Sequence, residues 1–141
     1  GYVDVDPQIA KLVKDAVKVL EDLGAKVEET DPGFEDPAPI FRVLWWSGAR
    51  ALLGALPAAK KKLLDPALAD VVEQSLSISL DDYFTAVKER GALGSKMRQF
   101  MERYNLLITP SLPIPAFEAG QLQPGSADAT GKWVNWTPFS Y

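Results

Sequence analysis

Tyr104 to Gly120, which reads YNLLITPSLPIPAFEAG, is the stretch that bears most on the fold. It opens with an apolar run, Leu106 to Ile108, which Thr109-Pro110 closes before further prolines follow. Short apolar runs that end in turn-forming residues are typical of buried strands. Because apolar and polar residues do not alternate here, we expect both faces of this strand to be covered, as in an α/β layer. The prolines predict a stiff loop after the strand, and residue types alone assign this stretch no chemistry.

The N-terminal part predicts a helix followed directly by a strand. Asp6-Pro7 supplies a capping aspartate and a proline suited to the first helical position, apolar residues recur at helical spacing, and Gly24 suits the helix end. Residues 25–30 then predict a short strand. A glycine-closed helix that runs into a strand is half of a βαβ unit. The expected fold class is therefore α/β and helix-rich, with about four helices plus short strands near 25–30 and 106–110, in a single partial domain spanning 1–141.

The segment from Ile40 to Leu56 is apolar on nearly all sides and includes Trp45 and Trp46. Such a helix requires burial all round. We expect either another domain to cover it or a homodimer to form through helix 40–56, and both outcomes are favoured over a ligand wall.

Two more helix starts precede the opening stretch. Asp65-Pro66 repeats the aspartate-proline start, and Ser79 with Asp82 resembles a capping box with a shorter acid. The longest helix runs from there to about Tyr104. Gly91 and Gly94 interrupt it at a cost in helix stability, which indicates a close contact with another backbone.

The composition excludes several classes of site. The chain has 141 residues with no cysteine and no histidine, so disulfides, cysteine nucleophiles, Cys/His zinc sites and histidine-based triads are all excluded. Its 15 Lys+Arg against 19 Asp+Glu leave no basic face, so we expect no nucleic-acid partner. No apolar stretch approaches the ~18 residues of a membrane span and no signal peptide is visible, which predicts a cytoplasmic protein without a membrane partner.

The motifs of known catalytic sites are also missing from the sequence. It contains no G-x-S-x-G elbow, no S-x-x-K arrangement and no glycine-rich phosphate loop. The acidic pairs Glu28-Glu29, Glu35-Asp36 and Asp81-Asp82 fall at strand edges, loops or helix starts, where solvated charge is the default. The sequence therefore predicts no catalytic residue, no metal ligand and no cofactor within this chain.

The opening stretch resembles a segment of the amidase signature family, "Y-D-x-L-L-x-T-P-T-x-P-x-P-A-F-x-x-G". The matching residues are Tyr104, Leu106, Leu107, Thr109, Pro110, Pro113, Pro115, Ala116, Phe117 and Gly120. Asn105 replaces the usual aspartate and Ser111 the second threonine. The start, 1–7, is similar to the family's "G-Y-x-x-V-D-P", and 23–29 is similar to "L-E-x-L-G-A-x-V-E-E-V". The tail, 136–141, resembles the approach to "P-F-N-x-x-G-x-P-A".

This resemblance implies amide hydrolysis by a serine, a cis-serine and a lysine, with no cofactor. In the family that triad lies in an upstream part of the sequence that has no counterpart here. The chain starts without methionine and stops in an aromatic run, so we expect a C-terminal fragment of an amidase that is inactive by itself. Aromatic walls with a few polar groups suit a small-molecule amide. The expected pocket-lining residues are Trp136, Thr137 and Phe139, with Trp45 and Trp46 as second choice.

Two alternatives remain open at this point. One is the amidase-like subunit of a tRNA-dependent amidotransferase, which ranks lower because residues 71–79 lack the arginine-and-glycine pattern of that branch and the tail is rich in tryptophan. The other is a non-enzymatic helical association module in which helix 40–56 drives dimerisation.

Overall fold

The computed structural model of the chain describes residues 3–119, 124 and 137–139. Within these residues the secondary structure is helical. The elements in chain order are α1 (Pro7–Asp22), α2 (Ala38–Leu53), α3 (Ala58–Lys61), α4 (Pro66–Gln74), a 3-10 turn (Ser75–Ser77) and α5 (Leu80–Met101). None of the described helices is both long enough and apolar enough to cross a membrane.

The helix starts follow the local capping signals. Asp6 accepts a hydrogen bond from the Gln8 N–H at 2.8 Å, with Pro7 in the first turn of α1. Asp65 accepts from the Ala67 N–H at 2.9 Å at the start of α4. A carboxylate at this position satisfies backbone donors that have no partner inside the helix. Both aspartate-proline starts are therefore confirmed.

The start of α5 confirms the predicted capping box. The Ser79 Oγ accepts from the Asp82 N–H at 3.0 Å, while the Asp82 carboxylate accepts from the Ser79 N–H at 2.9 Å and from the Ser79 hydroxyl at 2.6 Å. The shorter acid thus does what glutamate does in the usual box.

The C-terminal end of α1 also follows a local signal. Gly24, just after the helix, has φ +97°, a left-handed conformation that favours glycine.

The chain divides into two compact units, residues 1–38 with 96–141 and residues 39–95. In the first unit, the segment after Tyr104 is attached to the start of α1 because the Asp6 N–H donates to the Pro113 carbonyl at 2.8 Å. Two side chains tie the segment after α1 into the same unit. Tyr104 Oη donates to Glu28 Oε1, and Lys96 Nζ donates to the Gly33 carbonyl. Pro113 and Phe100 are buried here.

The second unit has its most buried residues in α4 and the turn after it. Val71 and Ser75 are each 1% exposed, and Ala86 of α5 is also buried. The Ser75 hydroxyl donates to the Val72 carbonyl at 2.5 Å, while the Ser75 carbonyl accepts from Arg50 Nη1 at 3.3 Å. An α2 side chain thus satisfies a backbone acceptor beside this small core, as buried polar groups require.

The predicted α/β fold class is wrong for the described part of the chain, which contains no strand. Residues 25–30 and 106–110, where strands were expected, have no regular secondary structure and form no ladder with the other described residues. Leu106 is 74% exposed, and Leu107 and Ile108 are 38% and 40% exposed, so the apolar run is not covered on both faces. A helix pairs its backbone groups within one segment, whereas a strand needs a second segment alongside. The apolar pattern at 106–110 therefore did not predict the local structure, because it carries no information about a neighbouring segment.

Candidate functional site

The C-terminal tail, where the pocket-lining residues were expected, is described only in part. Trp136 lies outside the described residues. Thr137 and Phe139 are half-buried, on either side of a buried Pro138, and Pro138 and Phe139 form a turn. Partial burial is what a pocket wall requires, since one face of such a side chain is packed and the other contacts the ligand. The pocket-lining roles of Trp136, Thr137 and Phe139 stay predictions.

The second-choice residues, Trp45 and Trp46, lie on α2 in the other compact unit. The ring of Trp45 stacks on Phe41, with ring centroids 5.9 Å apart and an interplanar angle of 18°. The Arg42 guanidinium lies 5.7 Å from the centroid of the Trp46 ring, within the range of a cation–π contact. Both tryptophans are half-buried, so packing already covers part of their surface.

One polar atom among the described residues stands out because it is buried without a hydrogen-bond partner. It is Nε1 of Trp46. Buried indole N–H groups usually find an acceptor, and leaving one unpaired costs about 1–3 kcal/mol. The residue types did single out Trp46, but the orphaned donor depends on its surroundings and has no signature in the sequence.

The acidic pairs have structural roles in the described residues. Asp36 accepts from the Ala38 N–H at 2.9 Å at the start of α2, and Glu28 accepts from Tyr104. The Ser79 hydroxyl and N–H, which bond the ionised carboxylate, lower the pKa of Asp82 below its ordinary value. The hydrogen bonds from Ser79 therefore favour the charged form of Asp82.

Two residues of the motif that carried the resemblance have defined contacts. Tyr104 bonds Glu28, and Pro113 accepts from the Asp6 backbone. These contacts join the segment 104–113 to both ends of the α1 region. Sequence reasoning identified the three segments separately and missed that they bond one another. Tyr104 and Pro113 of the motif therefore connect segments of this unit that are distant in sequence.

No constellation of metal ligands forms in the described ranges, where no group of three or more acidic, histidine or cysteine side chains converges. The sequence contains neither histidine nor cysteine to build a stronger ligand set. The described residues therefore offer no candidate metal site.

Comparison with known proteins gives a consistent result. The family described as Amidase matches residues 1–141. An amidase of Pseudomonas putida is 26% identical over 118 residues, covering 83% of this chain and 25% of the relative. An acylamidase of Rhodococcus erythropolis is 25% identical over 146 residues, covering 100% of this chain and 30% of the relative.

Relatives named as amidotransferase subunits also match. A glutamyl-tRNA(Gln) amidotransferase subunit of Carboxydothermus hydrogenoformans is 27% identical, covering 85% of this chain and 30% of the relative. The chain thus spans between 25% and 30% of the length of these three relatives. No solved structure gives a significant match. The family match extends over the whole sequence, from the start of α1 through the proline-rich segment to the aromatic tail, and the chain belongs to the Amidase family.

Proposed function

We propose that this chain is a supporting part of an amidase that hydrolyses a small carboxylic amide to the acid and ammonia or an amine, and that the chain alone is inactive. The observation that carries the proposal is a family match over all 141 residues in a sequence without histidine, cysteine or an S-x-x-K motif. Relatives named amidase and acylamidase support the amide class of substrate.

The chemistry explains why the chain should be inactive. Amide hydrolysis by a serine requires a base that takes the hydroxyl proton and donors that stabilise the oxyanion. This chain offers neither arrangement in its described residues. Its contribution is positional, since the contacts of Tyr104 and Pro113 hold the proline-rich segment against the α1 region.

Assay of the purified 141-residue chain tests the claim of inactivity. Ammonia or amine release is measured with a panel of aliphatic and aromatic acyl amides, and we expect no release above the buffer blank. Turnover that rises in proportion to protein concentration, and that a second purification reproduces, would show that the chain holds its own catalytic groups.

The amidase assignment itself is tested at the level of the gene. The reading frame on the 5′ side of the Gly1 codon should encode a serine- and glycine-rich signature together with a lysine. A frame without these residues would count against the amidase proposal, whatever the activity of the chain.

The pocket-lining role of the tail is tested in the active amidase that contains this chain. We expect Phe139→Ala to raise KM for the amide more than it lowers kcat, because the ring is proposed to bind the substrate and not to act on the reacting bond. Phe34→Ala, a change at another half-buried aromatic residue, serves as the matched control. Equal effects of the two substitutions on KM would contradict the proposal that Phe139 lines the substrate pocket.

A second candidate function is the amidase-like subunit of a tRNA-dependent amidotransferase. Several matching relatives are named as glutamyl-tRNA(Gln) amidotransferase subunits, at 25–27% identity. It ranks second because residues 71–79 lack the arginine-and-glycine pattern expected of that branch. Glutaminase activity that appears only when partner subunits are added would reverse the ranking.

The remaining predictions about association and location are untested. A homodimer through helix 40–56 stays a prediction, although residues 40–47 of α2 are already half-buried. The association-module alternative depends on that dimer. A cytoplasmic location likewise stays a prediction, which fractionation of the source cells would test.

A further inference from the structure

We draw no further inference here: the strongest candidate, the exposed apolar face of α5 formed by Leu80, Phe84 and Val87, carries nothing because none of the described residues shows what covers that face.

Discussion

Helix α1 and residues 106–110 belong to the same compact unit, but only α1 has regular secondary structure. Within α1 the amides bond to carbonyls four residues back, and Asp6 caps the start. Residues 106–110 have no regular secondary structure, and Leu106 is largely in solvent. An apolar helix needs a partner only for its side chains, whereas a strand needs one for its backbone as well. The helix therefore forms from its own segment, whereas residues 106–110 form no ladder with the other described residues.

The largest expected effect contrasts a buried helical position with the exposed run. Val71→Asp should lower the free energy of unfolding by about 3 kcal/mol or more, because an unpaired carboxylate would replace a side chain that is 1% exposed. Leu106→Asp should change it by less than about 0.5 kcal/mol, since that side chain is already in water. Urea unfolding followed by circular dichroism measures both. A large loss of unfolding free energy for Leu106→Asp would mean that residues 106–110 pack as tightly as the helices.

An intermediate effect on stability is expected at Gly54, where backbone atoms lie close to the glycine. A Cβ atom at Gly54 would lie 2.5 Å from the Arg50 carbonyl oxygen, so Gly54→Ala should cost about 1–3 kcal/mol at the end of α2. Gly91→Ala meets no neighbour and should instead stabilise α5 by about 0.5–1 kcal/mol. Thermal unfolding of both variants compares the two positions. Shifts of the same sign would contradict the difference in their surroundings.

Loss of a helix cap should have a smaller effect. Asp65→Ala removes the acceptor for the first amides of α4 and should cost about 1 kcal/mol in the free energy of unfolding, measured by urea titration. Asp70→Ala, at an exposed position in the same helix, should change stability by less than about 0.5 kcal/mol. If the two substitutions cost the same, the stability of α4 comes from packing alone and not from its local start.

The smallest effect is electrostatic and concerns the start of α5. Hydrogen bonds from Ser79 lower the pKa of Asp82 below its ordinary value of 3.8, so the cap contributes fully above that value and is lost as pH falls through the lowered pKa. Ser79→Ala should move the pKa of Asp82 back toward 3.8, as carboxyl NMR titration would show. The pKa of Asp31, lowered chiefly by the Gly33 N–H, is the internal control and should stay unchanged. If the pKa of Asp82 is unchanged in the Ser79→Ala variant, Ser79 is not the cause of the lowered pKa.

These contrasts explain which parts of the fold could be predicted. The starts of α1, α4 and α5 were correct to within a residue because aspartate, proline and serine act on amides two or three positions away. The end of α1 at Gly24 could also be predicted from the local sequence, since the positive φ at this position favours glycine. The strands failed because their defining bonds would join segments far apart in sequence, and no such pairing forms in the described residues.

The candidate site was less predictable than the fold. Motif order along the chain indicated the Amidase family, which the match over 1–141 confirms. The Tyr104–Glu28 bond, by contrast, joins residues 76 positions apart, and neither residue type indicates the other. The same holds for the unpartnered Nε1 of Trp46, because burial without an acceptor is a property of surroundings.

The amino-acid sequence by itself determined the family, the helix starts and the absence of histidine and cysteine chemistry, because these depend on residue identity and on contacts within a few positions. Only the tertiary structure decided that residues 106–110 form no ladder with the other described residues, that Pro113 bonds the start of α1 and that the apolar residues Leu80 and Phe84 of α5 are exposed. Each of these depends on which distant segments come together, and burial and backbone pairing are settled only when they do.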